Sequence, residues 1–461
     1  MKAEDNKESK FDKFYKTIST VVILCLAVFA IIQLYKIYKL YTGGEESVNL
    51  SNELRYELNA DGNSYSVVLA GSGSVNMHRF KGIVDILGEY NGKPVTGIQD
   101  YAFWGCSGLT QIMIPDSVRS IGKSAFEDCS GLTSITIPDS VRSIGNSAFE
   151  DCSGLTSIII PNNVTSIGGA AFKDCSELKS VIWNARYCEK AGSNYRNLIF
   201  DGCYRLTEVT IGEKVRMIPS QAFRDCGGLT SIAIPDSVTS IGDCAFYGCS
   251  GLVSVTIGKS VTEISGFAFE RCYKLVEIIN NSNLNIEKGS VKNGNIGEYA
   301  LNVKNNEVTG IINRNDYLFY THDEVNYLLG YVGSSTELIL PNDYNAQSYN
   351  IYDYAFYDSG NKFTSVTISD GVTSIGYSSF LNCLNLTSVI IGKNVSSICK
   401  DVFSGCTSLN NVEFRDTSTW YKTALSNSVE NKRNGVLVDV SDSVYNAKIA
   451  SDYSDYYWYK I

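Results

Sequence analysis

The side chains of this 461-residue sequence that are capable of chemistry are fourteen cysteines, two histidines and a scatter of acids, and their spacing decides which chemistry is open to them. The histidines, His78 and His322, lie in unrelated segments, so neither a histidine metal triad nor a Ser-His-Asp relay has its parts. No Gly-Lys-Ser/Thr phosphate loop, dinucleotide fingerprint or Cys-x-x-Cys zinc signature occurs. The strongest hydrolytic option is a carboxylate pair. Glu208 and Glu277 occupy equivalent positions, with Glu413 as a third outward acid, but Glu208 and Glu277 are three repeat units apart and therefore ~14 Å from each other at one strand spacing per unit. Glycosidase carboxyls stand about 5 to 9.5 Å apart. The chain is accordingly read as non-enzymatic, with no catalytic residue, no cofactor and no metal.

What the cysteines mark is a period. They recur at Cys106, Cys129, Cys152 and Cys175, then Cys203, Cys226, Cys249 and Cys272, and again at Cys383 and Cys406, stepping by 23 within each block. A Phe precedes each by three residues, from Phe103 and Phe126 to Phe380 and Phe403, and a Leu follows by three. Phe356 marks an eleventh unit with Ser359 in the cysteine's place. Self-similarity at this period is the signature of stacked repeats. In the unit beginning at Ser124, Ala125, Cys129 and Leu132 are spaced i, i+4, i+7, which predicts a short helical turn on one side of each coil. Ile135 and Ile137 alternate with Ser134 and Thr136, which predicts a short strand with its hydroxyl face outward. Pro115, Pro138, Pro161 and Pro235 end that strand at the same point, because Pro has no N–H to donate to a ladder.

These units resemble the BspA-like leucine-rich repeats, which read Leu-x-x-Ile-x-Ile-Pro-x-x-Val-x-x-Ile-Gly-x-x-Ala-Phe-x-x-Cys. The resemblance implies a repeat solenoid with short parallel strands on its concave face and short helical turns on the convex side. It also implies a cell-surface protein serving adhesion or protein and glycan binding, and it carries over no catalytic residues. Here the repeats fill residues 100–280 and 353–415. A β-rich N-terminal cap is expected over 49–99, a Tyr-rich β-hairpin insertion over 281–352 and a C-terminal cap over 416–461.

Residues 17–35 are apolar and uncharged, and as a helix they would extend ~28 Å, enough for a hydrocarbon core of about 30 Å. The bulky segment after Gln33 offers no small-residue cleavage site, so an uncleaved single-pass anchor in the lipid bilayer is expected rather than a signal peptide. Five lysines precede the span and two follow it closely, which places the 1–16 tail inside and, beyond a 36–48 linker, the repeats outside. Residues 1–41 hold seven lysines and four acids, a charge of +3, so the rest carries −13 of the total −10. That acidic balance argues against nucleic acid.

Thirteen cysteines follow the span, so complete intramolecular pairing is impossible. Neighbouring ladder cysteines share one direction of Cβ, which aims their sulfurs poorly for bridging, and they are expected as buried thiols. Off-ladder Cys188, Cys244 and Cys399 remain candidates to pair or react. Binding is expected along the strand's outward row, at Met113, Thr136, Ile159, Thr210 and Thr256. The aromatic set Tyr317, Phe319, Tyr320, Tyr327 and Tyr331, where the period lapses, is the other candidate contact surface. The partner would be an extracellular protein or polysaccharide. A passive spacer or envelope scaffold without a specific ligand is the alternative.

Overall fold

The computed structural model describes residues 54–68, 80–192, 198–305, 308–357, 362–424, 436–441, 443, 446 and 455–460. The expected tail, membrane span and linker, as well as His78 and Tyr453, lie outside them. Among the described residues no helix is long and apolar enough to cross a membrane.

Each coil has one long and one short strand. In Ser157–Ile160 the pattern is strict: Ile158 and Ile160 are buried while Ser157 and Ile159 face outward. Pro161 stops the strand, the Val164 N–H closes a turn onto the Pro161 carbonyl at 3.3 Å, and Ser166–Ile167 forms the short second strand. Gly168 then turns the chain where a Cβ would lie 2.3 Å from the Asn146 nitrogen of the coil below, so only glycine fits. Successive coils stack in parallel register, Ser157 beside Ser180 beside Glu208 in the long-strand sheet and Ser120, Ser143 and Ser166 in the short-strand sheet. Residues 133–137, read above as a strand, keep the alternation of burial but lack ladder pairing.

The helical turns expected on the convex side are corrected to a chain of single turns. Cys129 N–H bonds the Phe126 carbonyl and Leu132 N–H the Cys129 carbonyl, each three residues back. Helix propagation fails because Ser124 and Asp128 sit at φ 50° and 62°. Their left-handed backbone turns intervening N–H groups across to the next coil, as with Phe126 N–H to the Ala148 carbonyl at 2.8 Å. Ala125, Phe126, Cys129 and Leu132 still all point inward, which is why their spacing imitated a helix.

Two ladders hold the interior. The Phe rings from Phe103 to Phe269 stack with centroids 5.1–5.9 Å apart and planes within 17°. Removing one, as in Phe149→Ala, would cost about 3–5 kcal/mol. Beside them the thiols of Cys129, Cys152, Cys175, Cys203, Cys249, Cys272, Cys383 and Cys406 each donate to the carbonyl of the Phe one coil back, as Cys152 Sγ does to Phe126 O at 3.2 Å and Cys272 Sγ to Phe246 O at 3.3 Å. None of the thirteen cysteines after residue 49 is in a disulfide. Burial pushes the thiols of Cys106, Cys244 and Cys399 up to about 11, and those of Cys129, Cys152, Cys226, Cys249 and Cys272 higher still. Of the off-ladder candidates, Cys188 and Cys244 are buried and Cys399 is half-buried, so none is an exposed thiol.

The interval read as a lapse of the period is largely more solenoid. Asn302–Lys304 adds a strand beside Glu277–Asn280, and Glu337–Ile339 opens a second long-strand sheet by pairing with Ser365–Thr367. What remains is a three-stranded ribbon of Ile312–Arg314, Tyr317–His322 and Val325–Tyr331. Its last strand runs parallel to Tyr349–Ile351. The N-terminal cap is built the same way, since Arg55–Leu58 is antiparallel to Tyr65–Val68, which runs parallel to Lys93–Ile98. Both are followed by Asp-Tyr-Ala-Phe, at Asp100–Phe103 and Asp353–Phe356. The chain therefore holds two capped stacks with two cores, one from Leu54 to Ala300 and one from Phe319 to Trp458. At the far end Tyr457–Lys460 pairs antiparallel with Ser397–Ile398 and with Trp420–Thr423, burying Trp458 and Tyr459 over the last coil.

Candidate functional site

Strand alternation sets the outward row. Met113 is 38% exposed and Ile159 50%, and Thr136 and Thr210 are exposed as well. Ile159, Ile182 and Thr210 lie side by side in register, as do Ala233, Thr256 and Ile279. Along this row the surface closes toward the joint between the stacks: Thr256 is half-buried and Ile279 only 5% exposed. The second stack reopens it at Ile339, 69% exposed, a position that went unread because its coil has no Phe or Cys marker.

The cause of the closure is the ribbon. Val253 and Val276 stand where other coils carry Thr, Lys or Asn, and they pack with Leu318, Tyr320 and Leu329. Tyr320 is 3% exposed as a result. Phe319 is fully buried on the ribbon's other face, stacked on Tyr344 at 4.3 Å and edge-on to Tyr349 at 5.2 Å. These two rings are therefore core, not ligand contacts, because one ribbon face seals each stack. Tyr317, Tyr327 and Tyr331 are half-buried. The Tyr317 hydroxyl donates to the Ile339 carbonyl at 2.6 Å, and burial followed by the neighbouring Tyr331 pushes its pKa up to about 12. Tyr327 meets the edge of Tyr352, and Lys362 Nζ lies 4.9 Å over the Tyr331 ring.

Glu277, expected as an outward acid, is fully buried. Lys304 Nζ lies 2.9 Å from its Oε1, the Thr309 hydroxyl donates to Oε2 at 2.6 Å and the Gly310 N–H reaches both oxygens at 3.0 Å. Nearby, Lys274 Nζ donates to the Ala355 carbonyl at 3.1 Å, and Tyr273 stacks on Tyr354 at 4.4 Å across the break in the period. Tyr299 and Tyr357 meet the Tyr273 ring edge-on. Glu277 thus works as a fastener between the stacks, while Glu208 stays exposed in a strand of the first.

Two further clusters complete the polar inventory. Glu150, Asp151 and Asp174 bring carboxylate oxygens within 4.8 Å of one another on the turn side, but Lys173 Nζ already sits 2.7 Å from Glu150 and 3.1 Å from Asp174. His322 lies 3.3 Å from Asp323 at the ribbon's tight turn. Beside that turn opens a groove of about 420 Å³ lined by Glu324, Asn326, Gln347, Ser348, Asn350 and Thr373. None of these was singled out in the sequence. The only signal there is a run of amides and hydroxyls from Asn345 to Asn350.

No curated protein matches the sequence. Among solved structures, a leucine-rich repeat protein of T. pallidum shares 28% identity over 49% of this chain and 89% of its own, with a TM-score of 0.35. A leucine rich cell surface protein of Faecalibacterium prausnitzii A2-165 shares 25% over 79% of this chain and 94% of its own, TM-score 0.36. A leucine-rich repeat protein of Bacteroides ovatus ATCC 8483 shares 24% over 78% and 87%, TM-score 0.30. The family model for the BspA type leucine rich repeat region matches residues 96–195, 193–323 and 331–434. With most of its length so matched, and with parallel two-sheet coils in register, the chain belongs to the BspA-type leucine-rich repeat family.

Proposed function

We propose that this chain is a cell-surface binding protein whose first stack offers a flat, repeated contact to an extracellular protein or polysaccharide. The observation that carries this reading is the uncovered row of the long-strand sheet, where Met113, Thr136, Ile159 and Thr210 stay at the surface. That row has no Trp, Tyr or Arg anchor of the kind that dominates tight interfaces, so each contact is weak and repetition supplies the strength. Residues 17–35 fit a single-pass anchor with the N-terminus inside, and the relative from F. prausnitzii described as a cell surface protein is consistent with that placement. The solenoid supplies a scaffold for recognition, and the two acids weighed for hydrolysis point away from it, since Glu277 is buried against Lys304.

The test is a binding array of matrix proteins, cells and glycans against the full chain and the variant Ile159→Asp/Thr210→Asp. Binding that falls at least tenfold in the variant supports the row as the contact. Binding to nothing in the array would leave the passive spacer as the better reading, and the flatness of the row is the observation in favour of that alternative.

A further inference from the structure

We infer that the groove beside the ribbon's tight turn is a binding site for a neutral saccharide, which deepens the surface-binding reading and rests on it. The groove lies between the two-residue turn of Asp323 and Glu324, at φ 48° and 64°, and the start of the strand Tyr349–Ile351. Its volume of about 420 Å³ falls in the lower part of the ~300–1,000 Å³ range of small-ligand sites.

Its lining selects the ligand class. No Lys, Arg or His is present, which disfavours phosphate, sulfate and carboxylate ligands, and the only charge is the Glu324 carboxylate. The Tyr349 ring is 2% exposed and its hydroxyl is committed to the Pro341 carbonyl at 2.6 Å, so no aromatic slot receives an apolar peptide side chain. Apart from the Val325 side chain, what is left is polar: the Glu324 carboxylate, the Ser348 and Thr373 hydroxyls and the amides of Gln347 and Asn350, with Asn326 bracing them from behind. An amide offers N–H₂ donors beside a carbonyl acceptor, and a carboxylate accepts through two oxygens, which matches the paired donor and acceptor capacity of neighbouring sugar hydroxyls.

The groups are held in place. Asn326, 6% exposed, accepts from the Thr321 hydroxyl at 2.8 Å and donates to Gln347 Oε1 at 3.0 Å and the Ser348 carbonyl at 3.4 Å. The Thr373 hydroxyl donates to Asn350 Oδ1 at 2.6 Å, which leaves the Asn350 N–H₂ for a ligand. Such pre-ordering lowers the entropic cost of binding.

The first cap provides an internal comparison. Seven residues before its Asp-Tyr-Ala-Phe, Lys93 reaches over the first hairpin and donates to the Gly62 carbonyl in its turn at 2.6 Å. Seven residues before the second Asp-Tyr-Ala-Phe stands Ala346, too short to span to the turn. Three residues before the motif, Gly97 of the first cap gives way to Asn350 in the second. The same architecture is thus clasped in one cap and, in the other, left open and lined with amides.

Saturation-transfer NMR and calorimetry on the full chain test this, with maltotriose, cellotriose, chitotriose and mannotriose as neutral probes and sialyllactose as the charged one. At least one neutral probe is expected to bind. Ala346→Lys, which restores the lysine of the first cap at an exposed position already at φ 59°, and Glu324→Ala should each weaken that binding at least tenfold while leaving thermal unfolding unchanged. Absence of binding by every neutral trisaccharide overturns the assignment, as does binding that stays within twofold in both variants or a preference for sialyllactose. A chain that binds matrix protein or cells through the Ile159 row yet gives no saccharide signal would overturn the groove while leaving the surface-binding reading intact, and a chain that binds nothing would overturn both.

Discussion

Replacing Glu277 by Ala should loosen the joint between the two stacks far more than it disturbs either stack. The carboxylate is fully buried and meets the Lys304 ammonium at 2.9 Å, the Thr309 hydroxyl and the Gly310 N–H. Lys304 also donates to the neutral Val308 carbonyl at 2.9 Å, but it is only 15% exposed at its side chain, so its charge has little water to turn to. Breaking a buried pair by removing one partner costs about 3–5 kcal/mol, most of it the stranded charge. The hydrogen bonds from Thr309 and Gly310 that go with the carboxylate belong to the same unit and are not to be added on top. If the joint opens locally, 3–5 kcal/mol corresponds to an opening constant raised by roughly two to three and a half powers of ten. Hydrogen exchange resolved by mass spectrometry reads this directly: amides of 302–304 and 317–331 should exchange faster by that factor, while those around Ser157–Ile160 keep their protection. The double variant Glu277→Leu/Lys304→Met replaces the pair by apolar side chains against Val253 and Val276, and it should recover most of the loss. Two results would refute the reasoning: unchanged exchange at 317–331 in Glu277→Ala, or a double variant as open as the single one.

Two other outcomes follow from the coil geometry and the buried thiols. Gly154→Ala should destabilise by about 1–3 kcal/mol in a urea melt, since the new Cβ would lie 2.5 Å from the Ser130 carbonyl of the coil below, whereas Gly88→Ala, with its nearest neighbour at 3.7 Å, should stay within ~0.5 kcal/mol. On the alkaline side, thiols with an ordinary value of 9.0 that rise to about 11 at Cys106 and Cys399 favour the folded state fully below pH 9, and this contribution is lost as pH climbs from 9 through 11. Half-buried tyrosines such as Tyr317 add in the same direction and Cys406, where the Cys383 thiol steadies the thiolate, opposes it. Melting temperature should therefore fall steeply above pH 9, and a flat profile to pH 11 would contradict it.

The stacking was legible in the sequence because most coils repeat the same inward Phe, Cys, Leu and Ile, and burial imposes those residue types at fixed spacing. The turn side was misread for a physical reason. Inward positions of consecutive single turns fall at nearly helical intervals, and only the backbone sign at Ser124 and Asp128 separates the two. The coil at Glu337–Pro341 escaped notice although Leu338, Leu340 and Pro341 repeat the Ile-x-Ile-Pro of Ile135–Pro138. Its Phe and Cys marker residues are absent, and the ribbon's tyrosines break the pattern beside it. For the same reason Phe319 and Tyr320 looked like free rings. An aromatic that seals the end of a stack and one that greets a ligand have the same composition, and the telling substitutions, Thr to Val at positions 253 and 276, lie far away in sequence.

The repeated cap bears on how such a chain changes length. Coils inside a stack meet only their own kind, so a coil gained or lost by slippage between near-identical coding segments leaves every remaining contact of the same type. The joint does not share that freedom. Val253, Val276, Glu277 and Lys304 serve one specific ribbon, and a coil inserted between them would face it with threonine and serine. Variation in reach is thus free on either side of the joint and forbidden across it, which makes residues 253–331 the fixed point from which both arms are measured.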